Sequence, residues 1–156
     1  MKKILTLIGL IAAVSHVGAT ELTPATPECI IEAAQKYNFD PLVLLAILYV
    51  EGGTVGQVTK NTNGTYDIGL FQINSIHLPE LAKRGITETQ LKNNGCINTV
   101  EAAYHLRRVI PYQKLDSINT HDDFYRMIAR YHSVTPEHNQ RYAGRLKNAF
   151  NQLSRY

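Results

Sequence analysis

From Pro41 to Val50 the chain reads Pro-Leu-Val-Leu-Leu-Ala-Ile-Leu-Tyr-Val and runs directly into Glu51 and then Gly52-Gly53. A run that is apolar nearly all round predicts a helix buried inside a domain, and the paired glycines predict its C-terminus. Upstream, Pro24 and Pro27 make an extended lead-in, and Ile30, Ile31, Ala34 and Tyr37 recur at helical spacing, which predicts a first helix over Glu28 to Tyr37. Asn38-Phe39-Asp40-Pro41 ends that helix and opens the next, with Asp40 as N-cap and Pro41 in the first helical position.

After the glycines the pattern changes. Thr54 to Thr65 is rich in Thr, Asn and Gly and contains Asn63-Gly64, the strongest local signal for a tight hairpin turn, so two short strands and no more are expected here. Polar and apolar residues then alternate from Asp67 to Asn74, placing Gln72 and Asn74 on one face. Ser75 to Lys83 and Thr87 to Asn93 predict brief helices, the second opened by a capping box from Thr87 to Gln90, and neither carries an evident chemical role. Three longer helices follow. Asn98 to Ile110 places Val100, Ala103, Tyr104 and Arg107 on one turn series with Ala102, Leu106 and Ile110 alongside, and closes at Pro111; Asp122 to Tyr131 carries Phe124, Met127, Ile128 and Tyr131; Pro136 to Leu153 is more polar. With no repeats or linkers, the pattern predicts a mainly helical (α+β) single domain with a small β-hairpin.

The N-terminus changes this picture only by subtraction. Met1-Lys2-Lys3, the apolar run from Ile4 to Val14 and the small residues around Val17-Gly18-Ala19 read as a secretory signal peptide over residues 1–19, leaving residues 20–156 as the exported domain. The apolar run is shorter than the roughly 20 residues a membrane-spanning helix needs, and no later stretch is long and apolar enough. Removing Lys2 and Lys3 from the 16 basic residues leaves 14 against 13 acidic ones, so net charge gives no support for nucleic acid binding. Cys29 and Cys96 are an even pair in an exported chain without CxxC spacing, which predicts a single structural disulfide.

The chemistry centres on Glu51. At the C-terminal end of a buried helix a carboxylate meets unpaired carbonyls and apolar surroundings, and both raise its pKa. A carboxylic acid protonated near neutral pH is what glycosidic cleavage requires, because the leaving oxygen must receive a proton. The amides of Gln72 and Asn74 both donate and accept, as the hydroxyl and N-acetyl groups of an amino sugar require. Tyr104, Tyr112, Tyr125, Tyr131 and Tyr142 suit either a sugar groove or the core. The histidines show no metal-ligand pattern, so neither metal nor cofactor is predicted.

Glu51-Gly52-Gly53, followed by Asn61-Thr62-Asn63-Gly64-Thr65-Tyr66-Asp67-Ile68-Gly69-Leu70-Phe71-Gln72-Ile73-Asn74-Ser75, resembles the lysozyme-like fold and specifically the Slt-type lytic transglycosylases. These enzymes carry a catalytic Glu followed by Ser, a Gly-Leu-Met-Gln-Ile segment and a Tyr-Asn-Ala-Gly segment, which correspond here to Glu51, Gly69 to Ile73 and Tyr131-His132-Ser133. Gly52 replaces the Ser, Phe71 the Met, and His132-Ser133 the Asn-Ala. The closest subgroup is the small exported transglycosylases that accompany type III secretion, type IV pilus and conjugation machines, in which cysteines also stand as Cys29 and Cys96 do. The resemblance runs from about Cys29 to Tyr142.

That resemblance implies a periplasmic enzyme acting on peptidoglycan glycan strands, with Glu51 catalytic and Gln72, Asn74 and Tyr131 contacting substrate, working beside an envelope-spanning machine. It implies cleavage of the β-1,4 bond between N-acetylmuramic acid and N-acetylglucosamine with a 1,6-anhydro product. The segment around Asp67 also resembles the hairpin of C-type animal lysozymes, in which the corresponding aspartate is the second catalytic carboxylate, so hydrolysis using Asp67 stays open. So does an exported adaptor that binds glycan without cutting it.

Overall fold

The computed structural model describes residues 21–155, apart from the side chains of Leu115 and Asp116; the signal peptide expected at residues 1–19 lies outside the described residues. Among those described, seven α-helices run in the order α1 (Pro27–Lys36), α2 (Pro41–Glu51), α3 (Leu78–Lys83), α4 (Glu88–Asn93), α5 (Gly95–Val109), α6 (His121–Ile128) and α7 (Pro136–Leu153). Between α2 and α3 lies an antiparallel sheet of β1 (Val58–Lys60), β2 (Tyr66–Ile68) and β3 (Ile73–Asn74), in that order. The fold is mainly helical with a small sheet, and no helix among the described residues is long and apolar enough to cross a membrane.

Helix α2 is the core. Asp40 caps it by accepting a 2.8 Å bond from the Leu42 amide, and Gly52, at φ 62°, closes it in the left-handed conformation. Val43, Leu44, Ala46, Ile47 and Val50 are buried against α1, α5 and α7, the burial that an apolar run requires. Helix α1 is joined to the start of α5 by the Cys29–Cys96 disulfide, with Cα atoms 5.3 Å apart and a sequence separation of 67. A cross-link closing a loop of that length stabilises the fold by about 4 kcal/mol in the chain-entropy model.

Several boundaries differ from the pattern-based expectation, each for a local reason. The sheet has three strands, not two, because residues 69–72 form a turn that folds Ile73 and Asn74 back beside Ile68 and Asp67. Gly69 and Gln72 both take left-handed φ, 70° and 50°, inside what the sequence presents as one alternating run. Helix α5 begins at Gly95 rather than Asn98, since the Asn94 side chain caps the Ile97 amide. The Ser75–Lys83 segment divides into a 3-10 turn over Ser75–His77 and α3, and residues 129–131 leave α6 as another 3-10 turn.

The turn at 69–72 is pinned to α5 by one buried side chain. Asn98 donates 3.0 Å bonds to the carbonyls of Ile68 and Leu91 and accepts a 2.8 Å bond from the Phe71 amide. A second buried polar device lies nearby: Glu101, 3% exposed, is gripped by both terminal nitrogens of Arg84 at 2.5 and 2.8 Å.

Replacing Asn98 by Ala strands two carbonyls and one amide in a dry site, each worth roughly 1–3 kcal/mol. We expect Asn98→Ala to lose about 3 kcal/mol of stability or more, measured by urea unfolding, and a loss below about 1 kcal/mol would show that the turn holds without it.

Candidate active site

Glu51, Asp67, Gln72, Asn74 and Tyr131, which the sequence singles out from three separate stretches, all line one cleft of about 510 Å³. Helix α2 delivers Glu51 to its floor, the sheet and its turn deliver Asp67, Gln72 and Asn74, and the segment after α6 delivers Tyr131. Ile76 and His77 from the 3-10 turn join them, so a segment without evident chemistry in the sequence forms part of the wall.

Two glycines make this convergence feasible. A Cβ on Gly53 would stand 2.3 Å from the Gly69 carbonyl oxygen, and one on Gly69 would stand 2.5 Å from the Asn98 side-chain nitrogen. The backbone just after Glu51 therefore touches the turn that carries Gln72, at a distance no other residue permits. Gln72 itself holds a conformation uncommon for a side-chain-bearing residue, and its Nε2 donates 2.7 Å to the Gly69 carbonyl, closing the turn on itself.

Burial pushes the Glu51 carboxyl up to about 6 from an ordinary 4.5. A hydrogen bond from Tyr142 and the charge of Arg145 pull the other way, and the negative charge of Asp67 adds to the rise. The Tyr142 hydroxyl, on α7, donates 2.5 Å to Glu51 Oε1. Because Oε1 already accepts, a proton on this carboxyl belongs on Oε2, which has no protein partner among the described residues. Arg145 bonds the Val50 carbonyl at the end of α2, placing a cation on the unpaired carbonyls there.

Asp67 is held differently. Asn74 Nδ2 donates 2.7 Å to its Oδ1 and Asn61 Nδ2 donates 3.0 Å to its Oδ2, so side-chain amides, not the backbone, fix this carboxylate. Asn74 is held through both side-chain atoms: Nδ2 also donates 3.1 Å to Thr65 Oγ1, and Oδ1 caps the Ile76 amide at 3.1 Å, leaving one acceptor site on Oδ1. Tyr131 is buried, its hydroxyl donating 2.8 Å to the Phe71 carbonyl and its ring edge-on to His105. What Tyr131 offers the cleft is therefore its ring. His132 stacks on Tyr142 with the rings 4° from parallel, and burial, reinforced by Arg145, lowers its pKa.

Arg145 and Asn61 are members that reading the sequence did not single out, and it marks Tyr142 only as one of five tyrosines suited to a groove or the core. A signal existed for Tyr142. It shares the inward face of α7 with Leu146 and Ala149, and a buried tyrosine needs a partner for its hydroxyl.

Residues 28–152 match the family model described as Transglycosylase SLT domain. The chain is 35% identical over 83 residues to the invasion protein IagB of Salmonella typhimurium, covering 53% of this chain and 52% of that protein. It is 36% identical over 87 residues to a peptidoglycan-binding-like protein of Escherichia coli O157:H7, covering 51% and 52%. With protein IpgF of Shigella flexneri it shares 25% identity over 151 residues, 85% of this chain and 95% of that one. The chain thus spans about half the length of the first two relatives.

A carboxyl whose folded pKa lies above its unfolded value makes the native state bind more protons, so stability is greatest below about 4.5 and falls as pH rises through about 6. The shift corresponds to about 2 kcal/mol. Glu51→Gln removes the charge while keeping an acceptor for Tyr142, so at pH 7 it should unfold about 2 kcal/mol harder than the parent, the gap closing by pH 4. Parallel stability curves for the two proteins across that range would refute a buried, reluctant acid.

Proposed function

The chain belongs to the transglycosylase SLT domain family, and on that premise we propose that it is a peptidoglycan lytic transglycosylase with Glu51 as both its acid and its base. The observation that carries this reading is the state of that carboxyl: buried, raised to about 6, and held through Oε1 by Tyr142 so that Oε2 serves the cleft. Such a group is protonated in an appreciable fraction of molecules near neutral pH, and general acids work best when their pKa lies near the operating pH.

Glu51 gives its proton to the oxygen leaving C1 of the muramoyl residue as the bond between them breaks. The muramoyl C6 hydroxyl attacks C1, and its proton passes to the Glu51 carboxylate, which is thereby restored. The product is 1,6-anhydro-N-acetylmuramic acid, and no water is consumed. The substrate's own N-acetyl oxygen holds the positive charge at C1 meanwhile, as in substrate-assisted glycosidases. Gln72 binds sugar substituents, and the Tyr131 ring forms part of the wall that receives them.

A second reading has its own support. Asp67 lies in the same cleft and its charge is felt by Glu51, so water could replace the C6 hydroxyl and make this a muramidase. A noncatalytic glycan-binding adaptor is weaker, since binding alone gives no reason to bury an acid and raise its pKa. Residues 20–156 would act in the periplasm after removal of residues 1–19, opening the wall locally for a secretion, pilus or conjugation apparatus.

The test is mass spectrometry of muropeptides released from purified sacculi by residues 20–156. We expect products ending in 1,6-anhydromuramic acid, and a loss of about 100-fold or more in Glu51→Gln while that protein stays folded. Products heavier by one water would establish the hydrolase, and no release by the parent protein would leave the adaptor.

A further inference from the structure

One arginine lines the cleft among the described residues, Arg130, and it also lines an adjoining depression of about 330 Å³ together with Asp123, Arg126, Met127 and Asn139. Its Nε donates 2.7 Å to the Val109 carbonyl, which fixes the plane of the guanidinium. The terminal nitrogens have no hydrogen-bond or ion-pair partner among the described residues. Among the described residues lining the two cavities, no carboxylate pairs with Arg130: Asp67 accepts from Asn61 and Asn74, Glu51 from Tyr142, and Asp123 from Thr120. The positive charge acting on Glu51 comes from Arg145, so Arg130 does not serve to tune the acid.

A half-buried, oriented guanidinium with its fork free, at the border between two cavities, is built to receive a planar anion from outside the protein. We propose that Arg130 binds a carboxylate on the lactyl arm of the muramoyl residue, and so selects muramoyl-containing strands over plain N-acetylglucosamine polymers. This rests on reading the cleft as a glycan-strand site. The sugars alone carry no anion. The carboxylate comes either from the peptide stem, when the lactyl group is amide-linked to it, or from the lactyl group itself when the stem has been removed. The adjoining depression gives the arm a place to lie away from the scissile bond.

The test uses the non-cutting Glu51→Gln protein and measures binding of three ligands of equal sugar number: strands with stems, the same strands stripped by an amidase, and a chito-oligosaccharide. Adding Arg130→Gln should weaken binding of a carboxylate-bearing strand about tenfold and of the chito-oligosaccharide less than about twofold, with Arg130→Lys in between. Loss confined to stemmed strands identifies the peptide carboxylate, and loss confined to stripped strands the lactyl one. Equal weakening of all three ligands, or of none, overturns the assignment, and the chito-oligosaccharide arm doubles as a check that the variant is folded. Failure of the glycan reading is visible separately, because the protein with Arg130 intact would then bind none of the three, and the inference would fall with it.

Discussion

The site depends on one constraint: the turn at residues 69–72 must lie against both α5 and the end of α2. Asn98 satisfies the first requirement with two of its three hydrogen bonds, to the Ile68 carbonyl and from the Phe71 amide, helped by the bare backbone of Gly69, and the bare backbone of Gly53 satisfies the second. Tyr131 adds a third bond to the same turn through the Phe71 carbonyl. Everything chemical in the sheet follows from that anchoring. If the turn stood off by the thickness of a methyl group, Gln72 and Asp67 would move away from Glu51, because β2 and β3 are only three and two residues long and cannot resist on their own.

In the proposed reaction, Glu51 shows how this anchoring is converted into reactivity. A short exposed hairpin would leave the carboxyl wet and ordinary, whereas a hairpin held down over it removes water, and burial is the largest cause of its raised pKa. Tyr142 and Arg145 limit the rise. Without them a carboxyl this buried would hold its proton too tightly to surrender it, and with much stronger partners it would ionise and have none to give. A value near 6 is the compromise between those extremes, and it makes the domain less stable at neutral pH than a neutral side chain would. The disulfide and the Arg84–Glu101 pair brace α1, α3 and α5, outside the cleft, where rigidity does not interfere with the acid.

Local pattern carried most of the architecture. The helix from Pro41 to Glu51, its caps, the capping box at Thr87 and the last helix from Pro136 to Leu153 were legible because each depends on spacing within a few residues. The third strand was not, because it exists only through two left-handed residues, one of them Gln72, in a run whose alternation reads as continuous strand. The position of Glu51 at a helix end was legible, but its partners were not. Tyr142 lies 91 positions away and Arg145 farther still, and nothing within one helix reports what its buried face will touch. Glu101 is a similar case: nothing in its own helix reports that Arg84, 17 positions away, pairs with it in a buried site.

The cage around Asp67 bears on which chemistry the cleft favours. A carboxylate that attacks C1 must present a free lone pair in the direction of the sugar and then carry a covalent bond, whereas one that stabilises positive charge at C1 has only to remain where it is. Each oxygen of Asp67 already accepts one amide hydrogen bond, which uses two of about four acceptor sites and fixes the plane of the group. Asn74 is in turn fixed by Thr65 and by the amide of Ile76, so rotating Asp67 toward a substrate would disturb a chain of bonds that extends along two strands. A charge held this firmly is suited to electrostatic support of the transition state, a task that requires no movement. That task serves transglycosylation and hydrolysis alike. The difference between the two outcomes therefore turns less on Asp67 than on whether water can approach C1 before the muramoyl C6 hydroxyl closes on it.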